Sequence, residues 1–66
     1  MSYVTIIQQG TSPRVVEATG NLGDTLREAG IDTESFVILR GGMQADLYSD
    51  VTSDVTVTAT KKSVGA

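Results

Sequence analysis

A chain of 66 residues that contains no cysteine has to hold its fold together with one small hydrophobic core. Folding a chain of this size buries about 60% of the surface that the open chain exposes. That is enough for one modest core, and it is too little for two lobes with a deep cofactor cleft between them. We therefore expect a single domain over residues 1–62, followed by a flexible tail over residues 63–66.

Histidine is absent as well as cysteine. This excludes thiol nucleophiles, imidazole bases and the usual zinc sites, and it leaves the serine and threonine hydroxyls without a histidine to activate them. We therefore expect a protein that is not an enzyme and that uses no cofactor and no metal. The lack of disulfides in so small a domain favours a reducing compartment, so we expect a cytoplasmic location.

The charge of the chain disfavours nucleic acid as a partner. The formal net charge is −3, and nucleic acid is usually met by a basic surface. The basic residues are spread along the sequence: Arg14, Arg27, Arg40, Lys61 and Lys62. No apolar run is long enough to cross a membrane, and no export signal is visible at the N-terminus, so we expect no membrane partner either.

Five segments have the composition or alternation of β-strands. Tyr3–Gln8 and residues 14–19 flank a loop with glycine and proline, which predicts an antiparallel hairpin. Residues 35–39 form the most hydrophobic run, and we expect them near the sheet centre and buried on both faces. Residues 43–47 suit a short edge strand. Residues 54–62 alternate between apolar residues and threonine, which predicts a half-buried strand.

One short helix is predicted between the second and third strands. Its apolar positions share one face at helical spacing: Leu22, Leu26 and Ala29. Asp24 can cap the N-terminus, with Asn21 as the alternative, and Gly30 stands where a left-handed residue ends a helix. Two turns of helix do not persist alone in water, so this helix must pack on the sheet.

The order of these elements and several short motifs resemble the β-grasp, or ubiquitin-like, fold. The closer resemblance is to the small sulfur-carrier proteins of thiamine and molybdopterin biosynthesis, and it covers nearly the whole chain. Three stretches carry it: Thr25-Leu26 at the helix, the hydrophobic strand that runs into Arg40-Gly41-Gly42, and Leu47 followed by Asp54-Val55-Thr56-Val57. The resemblance implies an α+β fold, with a mixed sheet of four to five strands and one short helix packed on one face.

The C-terminus is where the sulfur carriers act, because a partner enzyme adenylates the carboxylate of their terminal Gly-Gly. The present chain has Gly65-Ala66 at that place, so it departs from the family motif. The resemblance implies that Gly65 and Ala66 form the attachment site of a sulfur-carrier or conjugation protein. It also implies an adenylating or sulfurtransferase enzyme as partner.

Two other motifs have a functional and a plain interpretation. Gly41-Gly42 could cradle a phosphate, but the remaining glycines and the lysine of such a loop are missing, which favours a tight turn. The carboxylates of Asp46, Asp50 and Asp54 could bind a cation weakly. Their spacing does not match a calcium-binding loop, which favours solvated turn residues.

The leading functional prediction is a non-catalytic module that docks onto another protein, as a monomer or a homodimer. We expect the docking surface on the sheet face away from the helix, which carries some of Thr5, Ile7, Val16, Thr56 and Thr58. The candidate partner-binding residues are Arg40, Thr56, Thr58, Lys61 and Lys62. For Arg40 a solvent-facing turn is favoured over an interface role. Lys61 and Lys62 are equally compatible with steering an acidic partner and with protection of a sheet edge.

Overall fold

The computed structural model describes residues 2–62, and they form five strands and one helix. In chain order the elements are β1 (Tyr3–Gln8), β2 (Arg14–Glu17), α1 (Leu22–Glu28), β3 (Phe36–Arg40), β4 (Met43–Gln44) and β5 (Val55–Lys61). The strands make one mixed sheet in the order β2-β1-β5-β3-β4, in which β1 and β5 are parallel and the other pairs antiparallel. The tail predicted over residues 63–66 lies outside the described residues.

The N-terminal hairpin is confirmed. Val4 and Ile6 alternate with outward-facing residues on β1 and point into the core, where both are buried. β2 ends at Glu17, two residues earlier than predicted. The reason is that the N–H of Thr19 donates to the hydroxyl of Thr25 on the helix (3.0 Å), so the chain has already left the sheet at that point.

The helix begins after Asn21, whose side-chain oxygen accepts a hydrogen bond from the N–H of Asp24 (2.7 Å). Asp24 as the cap is therefore wrong, and the alternative, Asn21, is right. Asp24 lies in the first turn, where its carboxylate pairs with Arg27. At the other end Gly30 has φ +87°, a conformation that suits glycine, and the N–H of Ile31 bonds back to the helix.

The core lies between the helix and one face of the sheet. Its buried members come from the helix, the segment after it and three strands: Val4, Ile6, Leu22, Leu26, Ile31, Ile38, Val57 and Ala59. The predicted alternation of the last strand is confirmed, because Val57 and Ala59 are fully buried while the threonines between and beside them point the other way.

The prediction for the hydrophobic run at residues 35–39 is right in one respect and wrong in another. β3 lies beside the central strand β5, near the sheet centre as predicted. It is not buried on both faces, because the single helix covers a single face of the sheet, and Ile38 is the one residue of β3 in the buried core. A chain of this length has no second layer for the other face.

The edge strand β4 is shorter than the predicted 43–47. Gly41 and Gly42 have φ +61° and +82° and form a two-residue turn that pairs Arg40 with Met43. Ala45 makes the last hydrogen bond to β3 (2.8 Å to the carbonyl of Ile38). The chain then turns toward the helix. This geometry supports the plain interpretation of the two glycines as a turn.

Candidate functional site

The strand register defines the sheet face that the helix leaves uncovered. Residues paired across neighbouring strands point to the same side, so the buried residues of β1, β3 and β5 identify all residues on the opposite side. We call this the outer face. It comprises Tyr3, Thr5, Ile7, Val15, Glu17, Val37, Leu39, Gln44, Thr56, Thr58 and Thr60.

The outer face is nearly uncharged. Glu17 at its edge is its one ionisable acidic or basic residue, although the chain contains eight acidic and five basic residues. Tyr3, Ile7 and Val15 are 42%, 41% and 64% exposed, and form an apolar region on β1 and β2. A sheet face of this kind exposes apolar surface and hydroxyl groups, which can be covered without removing a charge from water.

The middle of the outer face is a row of threonines on β5. Thr58 is half-buried, and Thr56 and Thr60 are exposed. On β3, next to them, Val37 and Leu39 are half-buried and add a second apolar region. The face therefore has two apolar regions separated by hydroxyl-bearing side chains.

The predicted docking residues do not all belong to this surface. Thr56 and Thr58 lie at its centre, as do Thr5 and Ile7 on the neighbouring strand. Val16 does not, because it opposes Val4 and packs against the core. A side chain on the inner side of the sheet cannot belong to an outer docking surface.

Two of the three predicted basic residues, Arg40 and Lys61, lie away from the outer face. Arg40 lies on the same side of β3 as Ile38, at the turn into β4. Lys61 opposes Phe36, and both point to the helix side of the sheet. Lys62 follows the strand, and its N–H bonds to the carbonyl of Ser35 (2.9 Å). Gly65 and Ala66, the predicted attachment site, lie outside the described residues.

Several outer-face residues were missing from the sequence prediction. Val37 and Leu39 belong to a continuous apolar run, in which alternation gives no signal. Val15 stands beside Val16, and two adjacent valines do not reveal which one faces the core. The pairing of β2 with β1 decides it, and that pairing is a tertiary property.

The three aspartates that recur every four residues serve separate local roles. Asp46 accepts a hydrogen bond from the hydroxyl of Ser49 (2.8 Å), and Asp54 accepts one from the N–H of Tyr3 (2.9 Å). Asp50 forms an isolated β-bridge with the residue that caps the helix. Within residues 2–62 no cluster of three or more carboxylates is arranged to hold a metal ion.

Two of the turns share one hydrogen-bond pattern. The carboxylates of Asp32 and Asp46 each accept from the hydroxyl of the serine three residues later, Ser35 and Ser49, and from the backbone N–H two residues later. The serine hydroxyl is the main cause that lowers the pKa of each carboxyl below the ordinary value of 3.8, and the backbone N–H adds to it.

The dimensions of the outer face limit what it can bind. Five strands about 4.8 Å apart, with a rise of about 3.3 Å per residue, give a face on the order of 500 Å². A stable protein complex usually buries about 800 Å² on each partner. The outer face alone therefore matches the class of weak, transient interfaces.

Comparison with known proteins identifies the fold. The sequence matches no protein-family model and no curated protein. Among solved structures, the chain is similar to the ubiquitin of Caldiarchaeum subterraneum, with a TM-score of 0.65 and 12% identity over 98% of both chains. The chain has a ubiquitin-like β-grasp fold. The predicted fold class is thereby confirmed, and at this identity the likeness concerns the fold alone.

The resemblance to sulfur carriers stays a prediction, because a likeness at 12% identity shows the fold alone. The one helix of the described residues is far too short to cross a membrane.

Proposed function

We propose that this protein is a non-catalytic ubiquitin-like module that docks transiently onto another protein through its outer face. The observation that carries the proposal is a nearly uncharged sheet face in a chain with many charged residues. An ordinary solvent-facing sheet side can carry charges at no cost in desolvation. Their scarcity here favours contact with a second surface.

The composition of the outer face determines how strongly the complex should depend on hydrogen bonds, apolar burial and salt. Thr56, Thr58 and Thr60 can exchange their hydrogen bonds with water for bonds to a partner, and the apolar regions beside them supply the burial. Since charge contributes little, the affinity should depend only weakly on salt. The small area makes the complex short-lived. We place this role in the cytoplasm on the basis of the cysteine-free sequence.

A capture experiment with matched variants tests the proposal. The protein is immobilised and exposed to native lysate, in parallel with Thr58→Arg on the outer face and Gln9→Arg in the exposed hairpin loop. Both variants add one positive charge, and circular dichroism checks that both fold. We expect a protein that is retained by the original chain and by Gln9→Arg, and is lost with Thr58→Arg.

Two results would count against docking through this face. One is retention of the same protein by Thr58→Arg, and the other is that no protein is retained at all. Elution of the partner by moderate salt would contradict the uncharged character of the contact.

A second candidate function keeps the role that the sulfur-carrier resemblance implies. β5 is the central strand, and Lys62 is bonded to Ser35, so the chain enters its last four residues from a well-held strand. In this function the carboxylate of Ala66 is activated by an adenylating enzyme, and a sulfurtransferase supplies sulfur.

The carrier function is tested by incubating the protein with ATP and an adenylating enzyme, with Ala66→Gly as the matched variant that ends in Gly-Gly. The expected product is an acyl-adenylate, or a mass increase equal to the exchange of one oxygen for one sulfur. Reaction of Ala66→Gly with no reaction of the original chain would exclude this function.

A further inference from the structure

One stretch of sheet edge has no neighbouring strand. β4 pairs with the second half of β3, and its last hydrogen bond runs from Ala45 to the carbonyl of Ile38. The backbone groups of Phe36, two residues earlier, point to the same side. The structure records no hydrogen bond from them to other described residues on this edge. At this edge Phe36 therefore offers one donor, its N–H, and one acceptor, its carbonyl, in strand geometry.

The residue that would pair with Phe36 if β4 continued is held elsewhere. By the register of the hairpin this residue is Leu47, and its carbonyl accepts a hydrogen bond from the N–H of Gly23 on the helix (2.8 Å). The approach is close, because a Cβ on Gly23 would stand 3.1 Å from that carbonyl oxygen. The chain therefore cannot close this edge without giving up its contact with the helix.

A groove lies between β3 and the segment after Ala45, which turns away from the sheet toward the helix. Its cavity of about 260 Å³ is lined by residues 36–38, residues 44–48, Thr33 and Lys62. A second cavity of about 310 Å³ shares Thr33, Leu47, Tyr48 and Lys62, so the space continues toward the N-terminal end of the helix. We call the two together the edge groove. Tyr48 is 89% exposed at its rim.

Lys62 gives the edge groove an available positive charge. The structure records no ion pair for it within residues 2–62. Asp46, which lines the same cavity, already accepts hydrogen bonds from the turn that follows it. Arg27, which lines the second cavity, is paired with Asp24. Glu34 lines the second cavity but not the first. The charge of Lys62 acts through space on Asp32, as the smallest of the causes that lower the pKa of that carboxyl, and forms no ion pair with it. Lys62 is therefore the charged side chain that the first cavity offers to a carboxylate of a partner.

We propose that the edge groove binds an extended segment of another protein, which adds a strand beside Phe36 and brings an acidic side chain to Lys62. Main-chain hydrogen bonds to an exposed strand edge supply affinity that tolerates many sequences, and a pocket beside the edge selects side chains. The half-buried Phe36, Ala45 and Leu47 favour an apolar residue in the segment. This site meets the outer face only at Val37 and Gln44, which belong to both surfaces, and it stands whether or not the outer face docks.

The test is an NMR titration of the isotope-labelled protein. The probe is a short acetylated and amidated peptide of alternating valine and threonine that includes one glutamate. We expect the Phe36 amide signal to shift, and its hydrogen exchange to slow by at least about tenfold. Lys62→Glu should weaken binding by about fivefold, since it removes an exposed ion pair and adds repulsion. Lys61→Glu makes the same charge change at a residue that lines neither cavity of the edge groove and should have little effect.

Three results would overturn the proposal. The first is an unchanged Phe36 amide up to millimolar peptide. The second is a set of shifts confined to the outer face, or a loss of binding in Thr58→Arg, which would assign the peptide to that face instead. The third is equal binding of a peptide N-methylated at every residue, because such a peptide has no N–H between its residues to donate to a strand edge.

Discussion

The two faces of the sheet are made by the same five strands, and they differ in what covers them. Val4, Ile6 and Val57 on the inner face are buried under the helix. On the outer face the residues that alternate with them are threonines and half-exposed apolar residues. The inner face is apolar because folding requires it. The outer face contributes little to folding, and its uncharged composition is the basis of the docking proposal.

The largest expected effect comes from a matched pair of neighbouring isoleucines. Ile6 is 1% exposed on the inner face, and Ile7 is 41% exposed on the outer face. Ile6→Ala should lower the free energy of unfolding by about 2–5 kcal/mol, through lost burial and the cavity left behind. Ile7→Ala should lower it by at most about 1 kcal/mol. Urea unfolding followed by circular dichroism measures both.

A domain of this size has a total stability of about 3–10 kcal/mol, so Ile6→Ala alone can unfold it. Ile6→Val then provides a graded variant with an expected cost of about 0.5–1.5 kcal/mol. Equal losses for the two alanine variants would show that the faces are not distinct in their contribution to folding.

The inner face was largely predictable from the sequence, and the outer face was predictable on β1 and β5 but not on β2 and β3. The alternation on β1 and β5 identified Val4, Ile6, Val57 and Ala59 as one side before any pairing was known. The outer face depends on how β2 and β3 are aligned with their neighbours. Those alignments arise from long-range packing, which short stretches of sequence do not encode.

A second matched pair compares hydroxyl groups on the two sides. Thr25 is 1% exposed, and its hydroxyl donates to the carbonyl of Asn21 and accepts from the N–H of Thr19 (both 3.0 Å). Thr25→Val leaves that N–H without its partner and should cost about 1–3 kcal/mol. Thr58→Val on the outer face should be neutral or slightly stabilising, since valine favours strands.

Thermal unfolding of the two valine variants checks this prediction, with the original chain as reference. A loss for Thr58→Val as large as that for Thr25→Val would mean that the threonine row is a structural element, which would weaken the docking proposal.

The structure also explains one of the motifs that carried the family resemblance. Thr25-Leu26 carried the family resemblance, and the structure shows a hydroxyl that ties the helix to the preceding loop beside a leucine that enters the core.

The candidate site illustrates where sequence interpretation fails. Arg40, Lys61 and Lys62 were named together with two threonines as candidate partner-binding residues. Alternation sends Lys61 to the inner side, and the turn carries Arg40 there too. The edge groove had no sequence signal, because it results from β4 ending early, when the carbonyl of Leu47 bonds to the helix.

The smallest expected effect concerns the turns, which belong to neither face. The pKa values of Asp32 and Asp46 are lowered in the folded state, mainly by the hydroxyls of Ser35 and Ser49. A lowered folded pKa stabilises the fold above the ordinary aspartate value of 3.8, and the contribution is lost as pH falls through the folded pKa. The urea midpoint should therefore decline on acidification from about pH 5 to about pH 2.5.

Removing both serine hydroxyls tests this cause. In the double variant Ser35→Ala with Ser49→Ala, both pKa values move back toward the ordinary value, so the acid-induced decline should become smaller. Ser53→Ala, at an exposed serine with no recorded side-chain hydrogen bond, is the matched control and should follow the original chain. An unchanged decline in the double variant would assign the acid sensitivity to other carboxylates. The turns around Asp32 and Asp46 would then make no measurable contribution to the pH dependence of the stability, which would rest on carboxylates elsewhere.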